Sequence, residues 1–543
     1  MADRKERELR FERKMSDAEA LMWNVEKDPW MNPSGGVVTI LDRPLDVDLF
    51  RARIRKSVAD IPRLRERVVS TTGRLANPTW EPDVEFDFAW HFRHIALPKP
   101  GTERQLFDLT ALLLADPYDR TRPLWQFIII DGLSGDRGAL FWRFHHSIMD
   151  GRAALRLTES YMDLTREAPL AEAVDIEALI AEATNLSSPV SDASKNENHD
   201  DAASGGSEAS HSGGAGAGVA GTVVGAAGHA VAALRGPMGF ARRIASEALL
   251  LGADPSRVPE AGAQVMHTLQ AARDQLGAPG SSGSELWKTR SRRRHIEAMT
   301  MPLAATKAAS KALGGSINDF FVAGAVAGAV AYHGERGESL EHLNVSFVVS
   351  TRSDDAIGGN SFTPSVVKIP TTTSSSAELV AMLSDLMGQR RSEVGTGSGL
   401  LSNLATVAKL LPTSVVTGFA RQQAGAVDFV TSNLRGSPFD VYIAGAKLLR
   451  NVTLGPVAGS AFNLTCLSMG DHLDIGMHID PVAVSDPAGL RVCLERAFDE
   501  MLAFGAQRPT SEQVSDSRKT PRKQKAATKK VTKSAVASRS KVR

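Results

Sequence analysis

The chain has 543 residues, with 63 Lys or Arg against 62 Asp or Glu, a formal net charge of +1 and 42% hydrophobic residues. This length exceeds one ordinary hydrophobic core and predicts two or three domains. Two cysteines, Cys466 and Cys493, are too few for a disulfide framework or a cysteine zinc site, and they fit a reducing cytoplasm. No apolar segment follows the charged N-terminus, so we expect no signal peptide and an intracellular protein.

The first strong chemical signal is "FWRFHHSIMDG", residues 141–151. Residues 138–144 are apolar and aromatic, which predicts a buried strand, and residues 152–165 have the apolar spacing of a helix. His145 and His146 therefore lie where a strand gives way to a helix. Because successive side chains of a strand point to opposite faces, we expect one histidine to do chemistry and the other to be structural.

An imidazole at such a corner is suited to general-base catalysis, because its ordinary pKa lies near neutral pH and rigid elements hold it in place. A metal site is disfavoured, since helical histidine ligands usually stand four residues apart and no cluster of Cys or Glu lies nearby. The plain alternative is a buried structural histidine. The spacing of His145, His146, Asp150 and Gly151 favours a functional site.

Low-complexity sequence occupies residues 171–285 and is rich in Ser, Gly and Ala, which predicts a linker or insertion. Residues 213–234 carry no formal charge, but Ala and Gly supply too little transfer free energy to predict a membrane span. Residues 240–252 are weakly amphipathic. They fit either a helix on a lipid surface or, more commonly, a helix covering a core face.

The second half opens with a basic cluster, for which two interpretations stay open: phosphate binding, or an edge strand kept soluble by charge. Its members are Arg290, Arg292, Arg293 and Arg294. A helix over residues 303–315 is predicted to end at its two final glycines. Ser316 can then cap the next helix, which carries Asn318 and Asp319 in its first turn.

Strand patterns follow at residues 344–350, 427–433, 439–446, 462–469 and 472–479. Pro487 opens a final predicted helix, which Gly505 ends. Each half thus mixes strands and helices, which predicts an α/β (α+β) protein with two lobes.

The C-terminal tail is strongly basic. From Arg518 to Arg543 there are eleven Lys or Arg and no acidic residue, so the rest of the chain carries −10. Such a segment cannot bury apolar surface, which predicts disorder. Three interpretations stay open: a solvated tail, a segment that binds anionic membrane, or, least favoured, one that binds nucleic acid. The tail has no aromatic residue on which single-stranded bases would stack.

The His-His-x-x-x-Asp-Gly segment resembles the motif of the CoA-dependent acyltransferase superfamily. Further blocks resemble the bacterial wax ester synthase/diacylglycerol acyltransferase family, in the same order along residues 15–505 apart from the insertion. They are "MSDAEALMW", "PDVEFDFAWHFRHIALPKPG", "RPLWQFIIIDGL", "SINDFFVAGAVAGAV", "VVSTR" with "GN", and "TSNLRGSPFDVYIAGA".

The resemblance implies two chloramphenicol-acetyltransferase-like lobes with a tunnel between them. We therefore predict an N-terminal lobe over residues 1–170, the insertion over 171–285, a C-terminal lobe over 286–506 and the tail over 507–543. We expect a cytoplasmic protein that associates peripherally with membrane or lipid bodies.

The resemblance also implies the reaction: transfer of a long-chain acyl group from acyl-CoA to diacylglycerol or a fatty alcohol, without an acyl-enzyme, a metal or a further cofactor. His146 is then the general base and His145 its support. Asp150 holds the turn by pairing with an arginine, for which Arg352 is our candidate, and Gly151 leaves room for substrate.

Further residues are implied to bind substrate: Pro123, Leu124, Trp125, Asn318 and Asp319. If the basic cluster binds phosphate, one or two of its arginines would bind those of CoA, and the edge-strand interpretation is at least as favoured. The expected partners are acyl-CoA, the acceptor lipid and an anionic membrane or lipid-body surface, with nucleic acid disfavoured. The alternative functions are acylation of an amine or a polyketide hydroxyl, and a non-catalytic protein of lipid bodies.

Overall fold

The computed structural model describes residues 11–70, 77–149, 151–167, 173–187, 280–350, 362–372, 375–396 and 413–507. Most of the predicted insertion and almost all of the predicted tail lie outside these ranges. So do Asp150 and Arg352.

Strands in the described residues are numbered in chain order. They are β1 (Ser34–Leu41), β2 (Glu66–Val69), β3 (Thr79–Pro82), β4 (Phe92–Ala96), β5 (Trp125–Leu133), β6 (Arg137–His145), β7 (His295–Pro302), β8 (His342–Ser350), β9 (Phe362–Pro370), β10 (Phe429–Arg435), β11 (Tyr442–Ile443), β12 (Ala446–Leu454), β13 (Phe462–Met469) and β14 (His472–Ile479).

Helices are numbered in the same way. They are α1 (Asp17–Val25), α2 (Val47–Asp60), α3 (Phe88–His91), α4 (Glu103–Ala115), α5 (Gly151–Tyr161), α6 (Ile176–Ser187), α7 (Leu303–Ala312), α8 (Ile317–Gly334), α9 (Ser376–Thr396), α10 (Thr413–Gly425) and α11 (Pro487–Gln507). Two short 3₁₀ helices, Pro29–Met31 and Pro62–Arg65, follow α1 and α2.

Two six-stranded sheets organise the chain. The first has the order β11-β12-β1-β6-β5-β4 and the second the order β7-β14-β13-β10-β8-β9. One core cluster centres on α8 and the second sheet, and two others include strands of the first sheet. This arrangement confirms the predicted fold class of two mixed lobes.

Several predicted helix boundaries are confirmed by their capping groups. The helix α7 ends just before Gly314, which has φ +83° and supplies the left-handed conformation that follows many helices. Ser316 accepts the backbone N–H of Asp319 at 3.2 Å and so begins α8. The final helix α11 begins at Pro487 as predicted.

Strand predictions hold at most positions but differ at residues 439–446. There the strand is only the pair Tyr442–Ile443, and a turn follows because Ala444 and Gly445 both have positive φ. Gly445 adopts this conformation without strain, and the turn reverses the chain into β12. The sequence analysis did not predict β12.

The strand β12 lies in the second half of the chain but pairs antiparallel with β1, in a register that joins Gly36 to Leu454 and Val38 to Val452. The predicted boundary at residue 286 therefore does not divide the two sheets. Main-chain hydrogen bonds thus join β1 to a strand more than 400 positions later in the chain. No local sequence pattern predicts such a pairing.

A buried carboxylate fastens β12 to the second sheet. Asp474 of β14 is fully buried and accepts the backbone N–H of Asn451 at 2.7 Å and the hydroxyl of Thr300 at 3.0 Å. On its other side, Asn451 accepts the hydroxyl of Thr39 of β1 at 2.7 Å. Hydrogen bonds of Asp474 and Asn451 thus connect the two sheets.

Within the described ranges, no single helix is long and apolar enough to cross a membrane. One bent pair, Leu303–Ala312 with Ile317–Gly334, passes the length and composition test when taken together, with 89° between its members. Most side chains of Ile317–Gly334 are buried in the core of the second lobe.

Candidate active site

The two adjacent histidines lie at the end of β6, as the sequence predicts. Ser34 of β1 is the register partner of His145, which is the last residue of the strand, and His146 starts the turn beyond it. Because the strand continues through His145, the two side chains leave the backbone in opposite directions. They therefore have different surroundings.

His145 is fully buried, and both of its ring nitrogens are hydrogen-bonded. Its Nδ1 accepts the backbone N–H of Ser147 at 3.1 Å and lies 2.6 Å from the Ser147 hydroxyl. Its Nε2 lies 3.0 Å from a carboxylate oxygen of Glu26. The rings of Trp23 and Tyr118 contact the imidazole edge-on, with centroids 6.2 and 6.3 Å away.

Glu26 was not predicted from the sequence, although it is the residue that places a charge beside the motif. It caps the C-terminal end of α1, and its side chain is only 9% exposed. Burial pushes the pKa of Glu26 upward. The hydrogen bond from His145, with the charge of Arg120 at 3.4 Å, outweighs burial and lowers this pKa below its ordinary value.

His146 is half-buried and lies beside the paired strands β1 and β12. Its backbone N–H donates to the carbonyl of Pro33, and its ring lies 5.4 Å from the ring of Phe144 in an edge-on arrangement. A Cβ placed on Gly35 would lie 3.3 Å from Nε2 of His146 and 3.2 Å from the carbonyl oxygen of Leu454. Glycine at position 35 therefore leaves the space that the imidazole borders.

The rest of the motif continues into α5. Gly151 is the first residue of that helix, which confirms the predicted change from strand to helix. Asp150 and its predicted partner Arg352 lie outside the described residues, so their pairing stays a prediction.

The predicted substrate-binding segment at Pro123, Leu124 and Trp125 lies in the core of the first lobe. All three side chains are buried, and the indole N–H of Trp125 donates to the carbonyl of Leu64 at 2.7 Å. The ring of His91 stacks on this indole at 4.5 Å, and burial lowers the pKa of His91 to about 4. These contacts give Trp125 a packing role, and its contact with substrate stays a prediction.

Asn318 and Asp319 lie in the first turn of α8 in the second lobe. Asn318 is half-buried, whereas Asp319 is buried and closes a capping box by accepting the backbone N–H of Ser316 at 2.8 Å. The contacts of Asp319 are those of a helix cap. A substrate-binding role for either residue stays a prediction.

The basic cluster precedes β7, which is an edge strand of the second sheet. Arg290 and Arg294 are half-buried and donate to backbone carbonyls, of Gly459 and Ser291 respectively, both at 3.1 Å. Arg292 and Arg293 are exposed. The edge-strand interpretation thus has structural support, and phosphate binding stays a prediction.

Solved structures place this architecture in a class of two-lobed acyl-transfer and condensation folds. The wax ester synthase/diacylglycerol acyltransferase from Marinobacter aquaeolei VT8 matches with a TM-score of 0.57 and 18% identity over 91% of this chain and all of that one. The first condensation domain of the calcium-dependent antibiotic synthetase matches with a TM-score of 0.52 and 16% identity, over 91% of this chain and 96% of that one.

Sequence comparison then assigns the family. The model of the wax ester synthase/diacylglycerol acyltransferase catalytic domain matches residues 15–321, and that of the WS/DGAT C-terminal domain matches residues 358–502. The chain belongs to the wax ester synthase/diacylglycerol acyltransferase family and is an acyltransferase.

Two relatives from Mycobacterium tuberculosis illustrate the similarity. One, named "Putative diacyglycerol O-acyltransferase", is 27% identical over 502 residues, which cover 91% of this chain and 93% of that protein. Another, named "Probable diacyglycerol O-acyltransferase tgs3", is 36% identical over 137 residues, or 25% of this chain and 51% of that protein.

Proposed function

We propose that this acyltransferase moves a long-chain acyl group from acyl-CoA to the hydroxyl of a diacylglycerol or a fatty alcohol, with His146 as the general base. The family assignment and the names of the relatives support the substrate class. The surroundings of the two histidines support the choice of His146.

The observation that carries this choice is the difference in access between the two rings. His145 is fully buried, with both ring nitrogens occupied by Glu26 and Ser147, so it has no route to a substrate. His146 is half-buried at the end of a rigid strand, beside Gly35, whose missing side chain leaves space next to Nε2. A base needs this combination of fixed position and access.

The reaction transfers the acyl group from the sulfur of CoA to the hydroxyl oxygen of the acceptor. Neutral His146 takes the proton of the acceptor hydroxyl as its oxygen attacks the thioester carbonyl, and a carbon–oxygen bond forms. The carbon–sulfur bond then breaks, and the imidazolium returns its proton to the CoA thiolate. The products are an ester and CoA, and no acyl-enzyme intermediate forms.

The purified full chain tests this proposal with radiolabelled acyl-CoA and a panel of diacylglycerol, fatty alcohol, amine and polyketide-hydroxyl acceptors. We expect ester products from at least one of the first two acceptors. His146→Ala should lower kcat about 10²- to 10⁴-fold, the usual contribution of a general base, with an unchanged circular dichroism spectrum. A His146→Ala enzyme as active as wild type would reject the mechanism.

The two alternative functions have less support. Both family models come from wax ester synthases and diacylglycerol acyltransferases, whereas the condensation domain shares the fold at low sequence identity. The match to a catalytic-domain model disfavours a non-catalytic lipid-body protein. Products with the amine or the polyketide hydroxyl alone would replace our substrate assignment.

We propose further that the enzyme is cytoplasmic and associates with anionic membrane or lipid-body surfaces through its basic tail. The eleven cationic residues after position 517 support this, since each contributes attraction to an anionic surface. A chain that ends at Ala506 should keep its kcat in detergent and lose salt-dependent binding to vesicles containing anionic lipid. Equal vesicle binding by both chains would remove this role from the tail.

A further inference from the structure

We propose that Glu26 is a positioning residue for the acyl transfer, acting through His145 to fix the turn that carries His146. This inference rests on the proposed function of His146 as the general base. Glu26 belongs to the N-terminal helix region, 119 positions before His145, and is not part of the His-His-x-x-x-Asp-Gly motif.

The hydrogen bonds define where His145 holds its proton. A backbone N–H can only donate, so the bond from Ser147 requires a lone pair on Nδ1 of His145. In the neutral ring the proton is then on Nε2, which donates to the Glu26 carboxylate at 3.0 Å. Glu26 thus stabilises the one neutral tautomer that can accept the Ser147 N–H.

With this tautomer, two hydrogen bonds of His145 close a tight turn around His146. The His145 side chain bonds to the backbone of Ser147, and the carbonyl of His145 accepts the N–H of Ile148 at 3.0 Å. His146 is the residue enclosed between these two contacts. Its backbone direction, and therefore the position of its imidazole, depends on both contacts being formed.

Arg120 in turn holds the Glu26 carboxylate, and Trp23 holds Arg120. The guanidinium of Arg120 lies 3.4 Å from Glu26 and 3.4 Å from the centre of the Trp23 ring, and it donates to the Trp23 carbonyl at 2.7 Å. Arg120, in the loop before β5, is thus anchored to α1 while its charge faces the Glu26 carboxylate. The residues that position His146 through His145 therefore include Glu26 and Arg120, which lie outside β6.

Loss of the carboxylate has a defined consequence. The N–H on Nε2 of His145 would become a buried donor without Glu26 as its acceptor, which favours moving the proton to Nδ1. A protonated Nδ1 can donate to the hydroxyl of Ser147 but cannot accept its backbone N–H. The turn around His146 would then open on one side.

The experiment compares Glu26→Ala and Glu26→Gln in the full chain, in the acyl-CoA assay used for His146→Ala. We expect kcat of Glu26→Ala to fall about 10²-fold, the effect of a misplacement near 1 Å, with KM unchanged for both substrates. Glu26→Gln keeps an acceptor oxygen for Nε2 and should lose only about 3- to 10-fold, since a neutral acceptor bonds more weakly than a charged one. Glu159→Gln, which removes an exposed carboxylate from α5, is the matched control and should retain wild-type kcat.

A spectroscopic measurement separates positioning from general destabilisation. Ring ¹⁵N–¹H correlation spectra, assigned with a His145→Gln variant, should show the Nε2–H tautomer of His145 in wild type and in Glu26→Gln. They should show the proton on Nδ1, or exchange between both nitrogens, in Glu26→Ala. A merely structural loss would lower the melting temperature without changing the tautomer of the folded protein.

The outcomes distinguish this inference from the proposed function. Suppose that His146→Ala is inactive but Glu26→Ala has the kcat and the His145 tautomer of wild type. This result overturns the role of Glu26 and leaves His146 as the base. An active His146→Ala rejects the base itself. If Glu26→Ala does not fold, Glu26→Asp withdraws the carboxylate by one methylene and replaces it in the test. A wild-type kcat of that variant also overturns the role.

Discussion

The imidazole of His145 is fully buried with a partner at each nitrogen, whereas that of His146 is half-buried beside the paired strands β1 and β12. The same contrast appears in the two glycines of the neighbouring strand. A Cβ on Gly35 would approach His146, and one on Gly36 would meet the buried ring of Phe141 at 2.7 Å. In each pair of adjacent residues, one member lies at the proposed reaction site (His146, Gly35). The other faces the protein interior (His145, Gly36).

This difference shows how adjacent residues acquire separate tasks. The alternation of a strand sends neighbouring side chains to opposite faces, so a rigid β6 can support catalysis from one face through contacts made on the other. Substitutions on the two faces should therefore affect different measurements.

Among substitutions in β1, the largest effect is expected from Gly35→Val. A valine suits a strand, but its methyl groups would occupy the space beside Nε2 of His146 and displace the ring, which should lower kcat roughly 10²-fold. Steady-state kinetics and thermal unfolding of the same preparation check this. A Gly35→Val enzyme with normal kcat would show that the imidazole does not need the space above Gly35.

The matched control is Gly36→Ala, on the opposite face. Its methyl group would overpack the core against Phe141, which typically costs about 1 to 3 kcal/mol of stability. We expect a lower melting temperature with kcat of the folded enzyme close to wild type. A larger loss of kcat in Gly36→Ala than in Gly35→Val would contradict the division between the two faces.

The smallest expected effect is a pH dependence of folding stability, which comes from the Glu26 carboxylate beside His145. The pKa of Glu26 is lowered, so its carboxylate contributes stability that is fully present above its ordinary pKa of about 4.5 and is lost as pH falls through the lower pKa of the folded state. The difference in melting temperature between wild type and Glu26→Gln should thus be larger at pH 7 than at a pH below the pKa of Glu26 in the folded state.

His146→Ala provides the comparison for this measurement. It retains Glu26 and His145, so its melting temperature should follow the same acid dependence as wild type. A melting-temperature difference between wild type and Glu26→Gln that stays constant from neutral to acid pH would show that the carboxylate contributes no proton-linked stability.

The sequence predicted the parts of the fold that have local signals. Four local signals depend on residues within a few positions, and the structure confirms them: the apolar run ending at Phe144, the glycines after α7, the cap at Ser316 and the start at Pro487. Strand alternation likewise predicts different surroundings for His145 and His146, and their contacts differ accordingly.

Long-range pairing could not be predicted in this way. Glu26 meets His145 across 119 positions, and β12 meets β1 across more than 400, so neither contact leaves a periodic pattern in its own segment. The pair Gly35-Gly36 was the one available signal, since adjacent glycines in an apolar strand indicate close approach by neighbouring groups. The capping role of Asp319 was foreseeable from its position three residues after Ser316.

The pairing of β1 with β12 also has a consequence for biosynthesis. The ribosome makes the chain from its N-terminus, so β1 is synthesised long before Ala446–Leu454, its partner on that edge. Until then the nascent first lobe has an open strand edge at Ser34–Leu41, the kind of surface to which other unfinished chains add. Synthesis therefore leaves this edge without its native partner while more than 400 further residues are added.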